Sequence, residues 1–198
     1  MKKGVVFVVL APSGSGKGSI IQQVMGQSAE ARLSVSATTR APRPGENHGE
    51  HYWFVSREEF EVMVKNDEML EHAEYCGNYY GTPKAPLEKW AEEGFDVIVE
   101  IEVQGAAQVK KLLPDSVSVF VLPPSMEILE KRLRDRGTES EEVIKGRLET
   151  AKLEIPYSQN CDYAIVNDHL EDAVAELKAI MTAETLKKNK NDLIKGVM

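Results

Sequence analysis

A glycine-rich segment near the start of the chain has the residue types that bind phosphate. It reads Ala-Pro-Ser-Gly-Ser-Gly-Lys-Gly-Ser and directly follows the unbroken apolar run of residues 5–10. Such a turn between a buried strand and a helix wraps main-chain N–H groups around phosphate oxygens, while the lysine reaches the β and γ phosphates. The usual pattern is G-x-x-x-x-G-K-S/T, and this chain has Ala11 at the first glycine and Gly18 at the hydroxyl position. We therefore predict a nucleotide site, and not merely a flexible turn, in nine residues: Ala11, Pro12, Ser13, Gly14, Ser15, Gly16, Lys17, Gly18 and Ser19.

A second cluster combines two arginines with a tyrosine. Arg40 and Arg43 lie beside a Pro-Gly turn, and Tyr52 follows shortly afterwards. Guanidinium groups fork onto phosphate oxygens, and a tyrosine hydroxyl adds a neutral donor. The alternative is a pair of solvated surface arginines in a polar loop. The aromatic segment of residues 71–84 that follows favours a second phosphate site.

The apolar runs indicate which elements must position these clusters. Short β-branched runs occupy residues 5–10, 97–101, 117–122 and 163–166. Helical stretches lie between them, such as residues 105–113 and 126–136, so that βαβ units around a parallel sheet are expected. Residues 34–82 interrupt this alternation with short aromatic segments and one helix, which a capping box of Ser56 and Glu59 begins. The sequence therefore predicts an α/β fold with an inserted, partly antiparallel subdomain.

Composition limits the function classes. A chain of 198 residues, of which 42% are hydrophobic, is long enough for one domain with a sizeable core. A formal net charge of −8 argues against a general binder of nucleic acid or membrane surfaces, so any anionic ligand must be held by local groups. Cys76 and Cys161 have no metal-type spacing, and the first residues lack the apolar region of a signal peptide. We expect a cytoplasmic protein with small-molecule substrates and no obligate protein partner.

Several further motifs occur in a fixed order along the chain. They are Ser36-x-Thr38-Thr39-Arg40-x-Pro42-Arg43-x-Gly45-Glu46, EHAEY at residues 71–75, GNYYGT at 77–82, EIEVQG at 100–105 and RLRDRGTE at 132–139. Together with the glycine-rich loop they resemble the guanylate kinase family over essentially the whole chain. The resemblance implies ATP-dependent phosphorylation of GMP and dGMP to GDP in purine metabolism, with Mg²⁺ accompanying ATP.

The resemblance also implies three parts within one domain of residues 1–198. A P-loop NTPase core, with a parallel sheet flanked by helices, would consist of residues 1–33, 83–125 and 153–198. A mixed α/β GMP-binding subdomain of residues 34–82, hereafter the insertion, would interrupt it. A helical lid of residues 126–152, hereafter the lid segment, would carry arginines.

The chemistry of guanine agrees with one carboxylate in the insertion. Guanine offers N1–H and an exocyclic amine as donors, which one carboxylate accepts together, whereas adenine would leave that charge unpaired. Glu71 suits this role, and the resemblance implies that Ser36 and Thr82 complete the base contacts. The expected GMP site comprises Ser36, Arg40, Arg43, Glu46, Tyr52, Glu71, Tyr80, Thr82 and Glu100. Family members often have Asp where this chain has Glu100 and Glu102, and the alternative for both is an ordinary polar strand end.

Phosphoryl transfer to GMP needs positioning and charge and no general base, because the second pKa of a phosphate is about 6. Lys17 and arginines of the lid segment are the expected catalytic groups. Arg132 and Arg136 are i,i+4 neighbours, and Arg147 lies on a later helix that could fold back. The alternative is a charged helix whose arginines form salt bridges with nearby glutamates: Glu127, Glu130 or Glu149.

Three further expectations concern ATP, its metal and the end of the chain. The resemblance implies that Asn167 lies near adenine. Because Gly18 has no hydroxyl, we expect phosphate oxygens and waters to hold Mg²⁺, with Glu100 or Glu102 orienting a water and Ser19 lying over the α-phosphate. The lysine-rich stretch of residues 187–190 is interpreted as a solvated helix end.

Three other functions are less consistent with these residues. A non-catalytic interaction module of the same fold would be expected to lack Lys17 or the lid arginines. A related P-loop kinase for a ribose bisphosphate would have no use for Glu71 with Ser36 and Thr82. A GTP-hydrolysing switch would need an N-K-x-D motif after a strand, which is not evident.

Overall fold

A computed structural model describes residues 3–43, 45–75, 77–135, 137 and 140–197 of the chain. In chain order the elements are β1 (Val6–Leu10), α1 (Lys17–Gln27), β2 (Ala31–Leu33), β3 (Ala37–Thr38), β4 (Trp53–Phe54), α2 (Arg57–Lys65), β5 (Met69–Tyr75), β6 (Asn78–Pro83), α3 (Lys84–Glu92), β7 (Asp96–Glu100), α4 (Val103–Leu112), β8 (Val117–Leu122), α5 (Met126–Asp135), α6 (Glu141–Glu154), a 3₁₀ helix (Ile155–Asn160), β9 (Tyr163–Val166) and α7 (Leu170–Val197).

Five of the strands form one wholly parallel sheet in the order β2-β7-β1-β8-β9. The predicted strands at 117–122 and 163–166 have the same bounds in the structure, and the one predicted at 97–101 begins and ends one residue earlier. The glycine-rich loop leaves β1 in the middle of this sheet. The α/β prediction with a parallel sheet flanked by helices is therefore confirmed.

The apolar run of β1 is unbroken because helices cover both faces of the sheet. Phe7 and Val9 pack in a core with side chains of α1 and α7. Val6 and Val8 point the other way and pack in a second core with side chains of α3 and α4. Successive side chains of a strand point to opposite faces, so a strand buried on both sides must be apolar at every position.

The insertion contains a separate four-stranded sheet in the order β4-β3-β6-β5, in which β6 is antiparallel to both β3 and β5. Helix α2 packs on it through the fully buried Phe60. The predicted capping box at the start of α2 is confirmed: Glu59 N donates to Ser56 Oγ at 3.1 Å, and Ser56 N donates to Glu59 Oε2 at 2.7 Å. The insertion thus has its own small core and a second sheet, as predicted.

Helices α5 and α6 form another small core, made of Leu129, Leu133, Ile144 and Ala151.

Among the described residues, no helix combines the length and the apolar composition that spanning a bilayer requires.

The interpretation of residues 187–190 as a helix end is wrong, because α7 continues to Val197. Asn189 is buried, and its side chain pairs with both main-chain groups of Lys3 at 2.8 and 3.0 Å. One turn earlier, Thr185 Oγ1 donates at 2.7 Å to Oδ2 of the buried Asp96, whose Oδ1 accepts from Val5 N at 2.9 Å. The polar residues of this helix therefore fix the beginning of the central sheet.

Candidate active site

The glycine-rich loop turns at two glycines with left-handed backbone conformations. Gly14 has φ +94° and Gly16 has φ +88°, values that L residues with a side chain rarely adopt. Ser15 N donates to Pro12 O at 3.1 Å inside the turn, and Gly16 stands at the N-cap of α1. Because the first N–H groups of a helix have no partner within it, the loop presents donors and the positive end of the helix dipole to an anion.

Both glycines also allow close packing from outside the loop. A Cβ at Gly14 would lie 2.9 Å from Leu133 Cδ2 of α5, and a Cβ at Gly16 would lie 2.2 Å from Asn167 Nδ2. These two contacts connect the loop to the lid segment and to the end of β9. The sequence motif indicates glycine at these positions but does not indicate the neighbours that require it.

Lys17, the first residue of α1, extends to the carboxyl end of β7. Its Nζ donates to Ile101 O at 3.0 Å and lies 3.8 Å from Glu100 Oε1 and 3.9 Å from Glu102 Oε1. The lysine side chain is only 10% exposed, whereas the two carboxylates are far more open, at 40% and 70%. The two glutamates predicted near the metal therefore lie beside the phosphate-loop lysine.

A third carboxyl group, which the sequence reasoning missed, belongs to this cluster. Burial and the negative charge of Glu102 raise the pKa of Glu154 to about 7, and Lys17 partly opposes this rise. Glu154 is the last residue of α6, at a position that no short motif marks. The end of α6 thus interacts with Lys17 through charge, whereas the packing against the phosphate loop comes from α5.

Two arginines of the lid segment contact the core around the phosphate loop. Arg147 Nη1 donates to Ser13 Oγ within the loop. Arg132 Nη2 donates to Asn167 O at 2.9 Å, and its Nη1 is buried with no hydrogen-bond partner in the described part of the chain. The expected third arginine, Arg136, lies outside the described residues.

The alternative for the lid arginines was a charged helix held by salt bridges with nearby glutamates. In the structure, the arginine of α5 that forms such salt bridges is Arg134. Arg134 binds Glu130 at 2.8 Å and also pairs with Glu141. Its side chain is exposed, on the face of α5 that does not contact the phosphate loop. Arg132 and Arg147 are thus distinguished from Arg134 by contacts with the core.

Asn167 follows β9 and is engaged with the phosphate loop. Its Nδ2 donates to Ser15 O at 2.7 Å, and the residue is 5% exposed. Its main-chain oxygen is the acceptor for Arg132, so one residue contacts both the loop and the lid segment. The contact with adenine stays a prediction.

The arginine cluster of the insertion is organised around one carboxylate. Arg40 Nη2 donates to both carboxylate oxygens of Glu46, at 2.9 and 3.0 Å, and Arg43 N donates to Oε2 at 2.7 Å. The hydrogen bond from Arg40 is the main reason that the pKa of Glu46 is lowered. Arg40 also lies 5.5 Å from the centre of the Tyr52 ring, whereas Arg43 is exposed. Glu46 therefore orients Arg40 in this structure.

Two tyrosines of the insertion pack against each other, and one of them is influenced by the charge of a carboxylate on β7. The rings of Tyr52 and Tyr80 meet edge to face with their centres 6.1 Å apart. Burial raises the pKa of Tyr52, and the negative charge of Glu100 raises it further. The carboxylate that acts on this phenol is the same one that lies beside Lys17. Ser36, just before β3, accepts a hydrogen bond from Trp53 N through its main-chain oxygen at 2.8 Å, and its contact with the base stays a prediction.

Glu71 and Thr82 form a buried pair on adjacent strands. They are register partners of β5 and β6, and Thr82 Oγ1 donates to Glu71 Oε1 at 2.7 Å. Glu71 is 7% exposed, and burial raises its pKa although the Thr82 hydrogen bonds oppose the rise. A buried carboxylate with one oxygen paired can accept further donors from a planar ligand.

The described residues contain no cluster of three or more His, Cys, Asp or Glu side chains that could hold a metal ion. Nothing lies within 4 Å of the position of a Cβ at Gly18, and Ser19 is exposed on α1. Glu100 and Glu102, both partly open beside Lys17, fit a Mg²⁺ ion that keeps most of its waters.

Comparisons with known proteins identify the family of the chain. The family model described as Guanylate kinase matches residues 3–184. A curated guanylate kinase of Desulfitobacterium hafniense is 51% identical over 98% of both chains, and one of Carboxydothermus hydrogenoformans is 52% identical over 94% of this chain and 92% of its own. A crystal structure of guanylate kinase from Anaplasma phagocytophilum superposes with a TM-score of 0.76 at 35% identity, covering 93% of this chain and 88% of that one. The chain belongs to the guanylate kinase family.

Proposed function

We propose that this protein transfers the γ-phosphoryl group of ATP to GMP, giving ADP and GDP. The observation that carries the proposal is the position of Glu100 at the carboxyl end of β7, 3.8 Å from Nζ of the phosphate-loop lysine, where its negative charge also raises the pKa of Tyr52 in the insertion. The proposal therefore brings the donor loop and the arginine–tyrosine cluster together at the carboxyl end of β7. The division into core, insertion and lid segment is part of this proposal.

The phosphate loop binds the donor. Main-chain N–H groups at the start of α1 receive the β-phosphate, and Lys17 neutralises charge on the β and γ phosphates. Gly14 and Gly16 keep the loop open for this approach, and Asn167 holds its main chain at Ser15. When Mg²⁺ accompanies ATP, phosphate oxygens and waters oriented by Glu100 and Glu102 would hold it, and the ion would neutralise further phosphate charge.

The insertion binds the acceptor. Arg40, oriented by Glu46, and Arg43 bind the phosphate of GMP, with hydroxyl donors from Tyr52 and Tyr80. Glu71 accepts the N1–H and the exocyclic amine of guanine, and Ser36 and Thr82 complete the base site. An adenine in this site would place its N1 acceptor against a buried carboxylate, which costs the desolvation of that charge without a partner.

The transfer itself depends on position and charge. The acceptor phosphate is already largely ionised near neutral pH, so no side chain has to remove a proton. Lys17 and the arginines at 132, 136 and 147 stabilise the charge that spreads over the equatorial oxygens of the transferred group. Packing of Leu133 against the phosphate loop excludes water, which would otherwise accept the phosphoryl group.

A panel of acceptors tests this function. ADP release from ATP is measured with GMP, dGMP, AMP, CMP and UMP, and we expect kcat/KM for GMP to exceed that for AMP by roughly 10⁴-fold. Equal use of AMP and GMP would refute the base-reading role of Glu71. Absence of turnover with every acceptor would favour a binding module instead. A cytoplasmic location, where both nucleotides are available, accords with the activity.

A further inference from the structure

Gly105 in the first turn of α4 lies directly against the carboxylate of Glu71. A Cβ on Gly105 would be 2.7 Å from Glu71 Oε2, 3.2 Å from its Cδ and 3.3 Å from its Cγ. The other oxygen, Oε1, is held by Thr82 Oγ1 at 2.7 Å. The carboxylate is therefore enclosed between a hydroxyl on one side and the main chain of a helix on the other.

The backbone of Gly105 gives no reason for a glycine. The residue lies inside α4 and is not among the described glycines with positive φ. Alanine is a much better helix former than glycine at such a position. The close approach of Glu71 is thus the reason that glycine fits at residue 105 better than alanine does.

The main chain that carries the carboxylate has little freedom to move away from α4. Strand β5 is paired with β6 at Glu71, and a Cβ on Gly81 of β6 would lie 2.8 Å from Glu71 O, which shows how tightly the two strands are packed. One turn after Gly105, the side chain of Gln108 binds both main-chain groups of His72 at 3.4 Å. The same face of α4 therefore fixes the strand residue that follows Glu71.

We propose that Gly105 is a specificity-determining residue, which positions the carboxylate of Glu71 for the purine base because it has no side chain. The inference depends on the proposed role of Glu71 in binding GMP. Gly105 belongs to the core and Glu71 to the insertion, so the shape of the base site depends on both parts. A methyl group at residue 105 would displace Glu71 from Thr82 and from the base edge.

Gly105→Ala tests the proposal, with Gly26→Ala as the matched control. Gly26 is also a helical glycine, in α1, and nothing lies within 4 Å of its Cβ position. For Gly105→Ala we expect the KM for GMP to rise about 30-fold, as for one misplaced methyl group in a binding pocket, with kcat and the KM for ATP unchanged. Gly26→Ala should leave all three constants unchanged.

A double-mutant cycle separates an effect through Glu71 from a general effect on α4. Glu71→Asp shortens the side chain by one methylene and withdraws the carboxylate from residue 105. If Gly105 acts through Glu71, Gly105→Ala should add less than about threefold to the KM for GMP in the Glu71→Asp protein. The same rise in both backgrounds, or an unchanged KM in Gly105→Ala alone, would overturn the proposal.

Folding and the underlying function are tested separately. If Gly105→Ala does not fold but its double variant with Glu71→Asp does, the contact with Glu71 is the cause and the proposal is supported. If neither folds, the methyl group clashes elsewhere and the proposal is wrong. The unmodified protein is assayed first with GMP and AMP, so a failure of the proposed function is recognised before any variant is compared.

Discussion

The insertion and the lid segment both contain arginines that we propose bind phosphate, but the two regions hold these arginines in different ways. Arg40 of the insertion is bound by Glu46 of the same region, through two hydrogen bonds of 2.9 and 3.0 Å. Arg147 and Arg132 of the lid segment instead contact the core, at Ser13 Oγ and at Asn167 O. The arginine of the insertion is oriented locally, whereas the lid arginines depend on packing against the phosphate loop.

This difference indicates how each region contributes to the reaction. A guanidinium group that is already oriented can bind the acceptor equally well in the ground state and in the transition state, which affects KM. We propose that the lid arginines, which contact the core around the phosphate loop, act where the transferred charge develops, and such groups affect kcat. The insertion should therefore govern acceptor binding, and the lid segment should govern the transfer step.

The largest expected effect comes from removing a lid arginine. Arg147→Ala should lower kcat by about 10³-fold, because an arginine that stabilises a phosphoryl transition state contributes this much or more. The KM for GMP should change little. Arg134→Ala is the control and should have normal kinetics, because the Arg134 side chain is exposed and pairs with Glu130 and Glu141. A normal kcat for Arg147→Ala in steady-state assays would remove the distinction between the two regions.

Glu71→Gln should raise the KM for GMP by roughly 100-fold, since the neutral amide cannot accept both donors of guanine. Glu74→Gln, an exposed residue on the same strand, is the control.

The same substitution should stabilise the fold at neutral pH. Burial raises the pKa of Glu71, so this carboxyl ionises at higher pH in the folded protein than in the unfolded chain. Its contribution to stability is fully present below the ordinary pKa of 4.5 and is lost as pH rises through the folded value. Thermal unfolding should therefore show a higher Tm for Glu71→Gln than for the unmodified protein at pH 7.5, and a smaller difference at pH 4.5. An equal difference at both pH values would mean that the charge is not responsible.

A smaller, purely kinetic effect is expected in the phosphate cluster of the insertion. Arg40→Ala should raise the KM for GMP about 30-fold with little change in kcat, because a charge-assisted pair with phosphate is lost in both states. Glu46→Gln should raise it less, since the guanidinium remains but is held less firmly. Arg57→Ala, which removes an exposed arginine stacked 4.3 Å over the Tyr79 ring of the insertion, should leave KM unchanged. If Glu46→Gln lowered kcat as much as Arg147→Ala does, the proposal that Glu46 only orients Arg40 would be contradicted.

The smallest effect concerns Glu154, at the junction of the lid segment and Lys17. Its pKa is raised to about 7 by burial and by Glu102, so its contribution to stability is lost as pH rises from 4.5 through about 7. Because Glu154 is only partly buried, solvent screening reduces the effect of the shift on stability well below its full value. Glu154→Gln should therefore raise Tm by about 2–4 °C at pH 8.5, which corresponds to about 1 kcal/mol in a protein of this size. The gain should disappear at pH 5. Glu149→Gln, an exposed residue on the same helix, should show no such dependence, and a gain at pH 5 would exclude titration of Glu154 as the cause.

Features with local signals were predicted from the sequence. The phosphate loop follows from the spacing of Gly14, Gly16 and Lys17 after an apolar run, and the start of α2 follows from Ser56 and Glu59. Both depend on residues within a few positions of one another, where backbone geometry and hydrogen-bonding capacity are set by residue type. The family resemblance supplied the long-range pairing of Glu71 with Thr82 as partners in one site.

Contacts between distant residues could not be predicted in this way. The amide of Asn167 binds Ser15, and the main chain at Gly105 leaves room for Glu71. The charge of Lys17 acts on Glu154. The partners in each pair are far apart in the sequence, so the periodic pattern of apolar residues does not predict that they interact. The lysine-rich stretch at residues 187–190 led to a wrong prediction of the helix end for a related reason. Charged residues on an exposed helix face look alike whether the helix stops or continues, and only the tertiary contacts of Asn189 distinguish the two.

The contacts of α7 imply that the family match and the folding unit have different limits. The match ends at residue 184, one position before Thr185. A protein shortened after residue 184 would keep all the predicted site residues, but Asp96 would lose the hydroxyl that binds its Oδ2, and Lys3 would lose both bonds to Asn189. A buried carboxylate that loses a partner destabilises the strand that carries it. Boundaries for expression or domain fusion should therefore lie beyond Asn189, since trimming at residue 184, where the family-model match ends, would remove the contacts of α7 with Asp96 and Lys3.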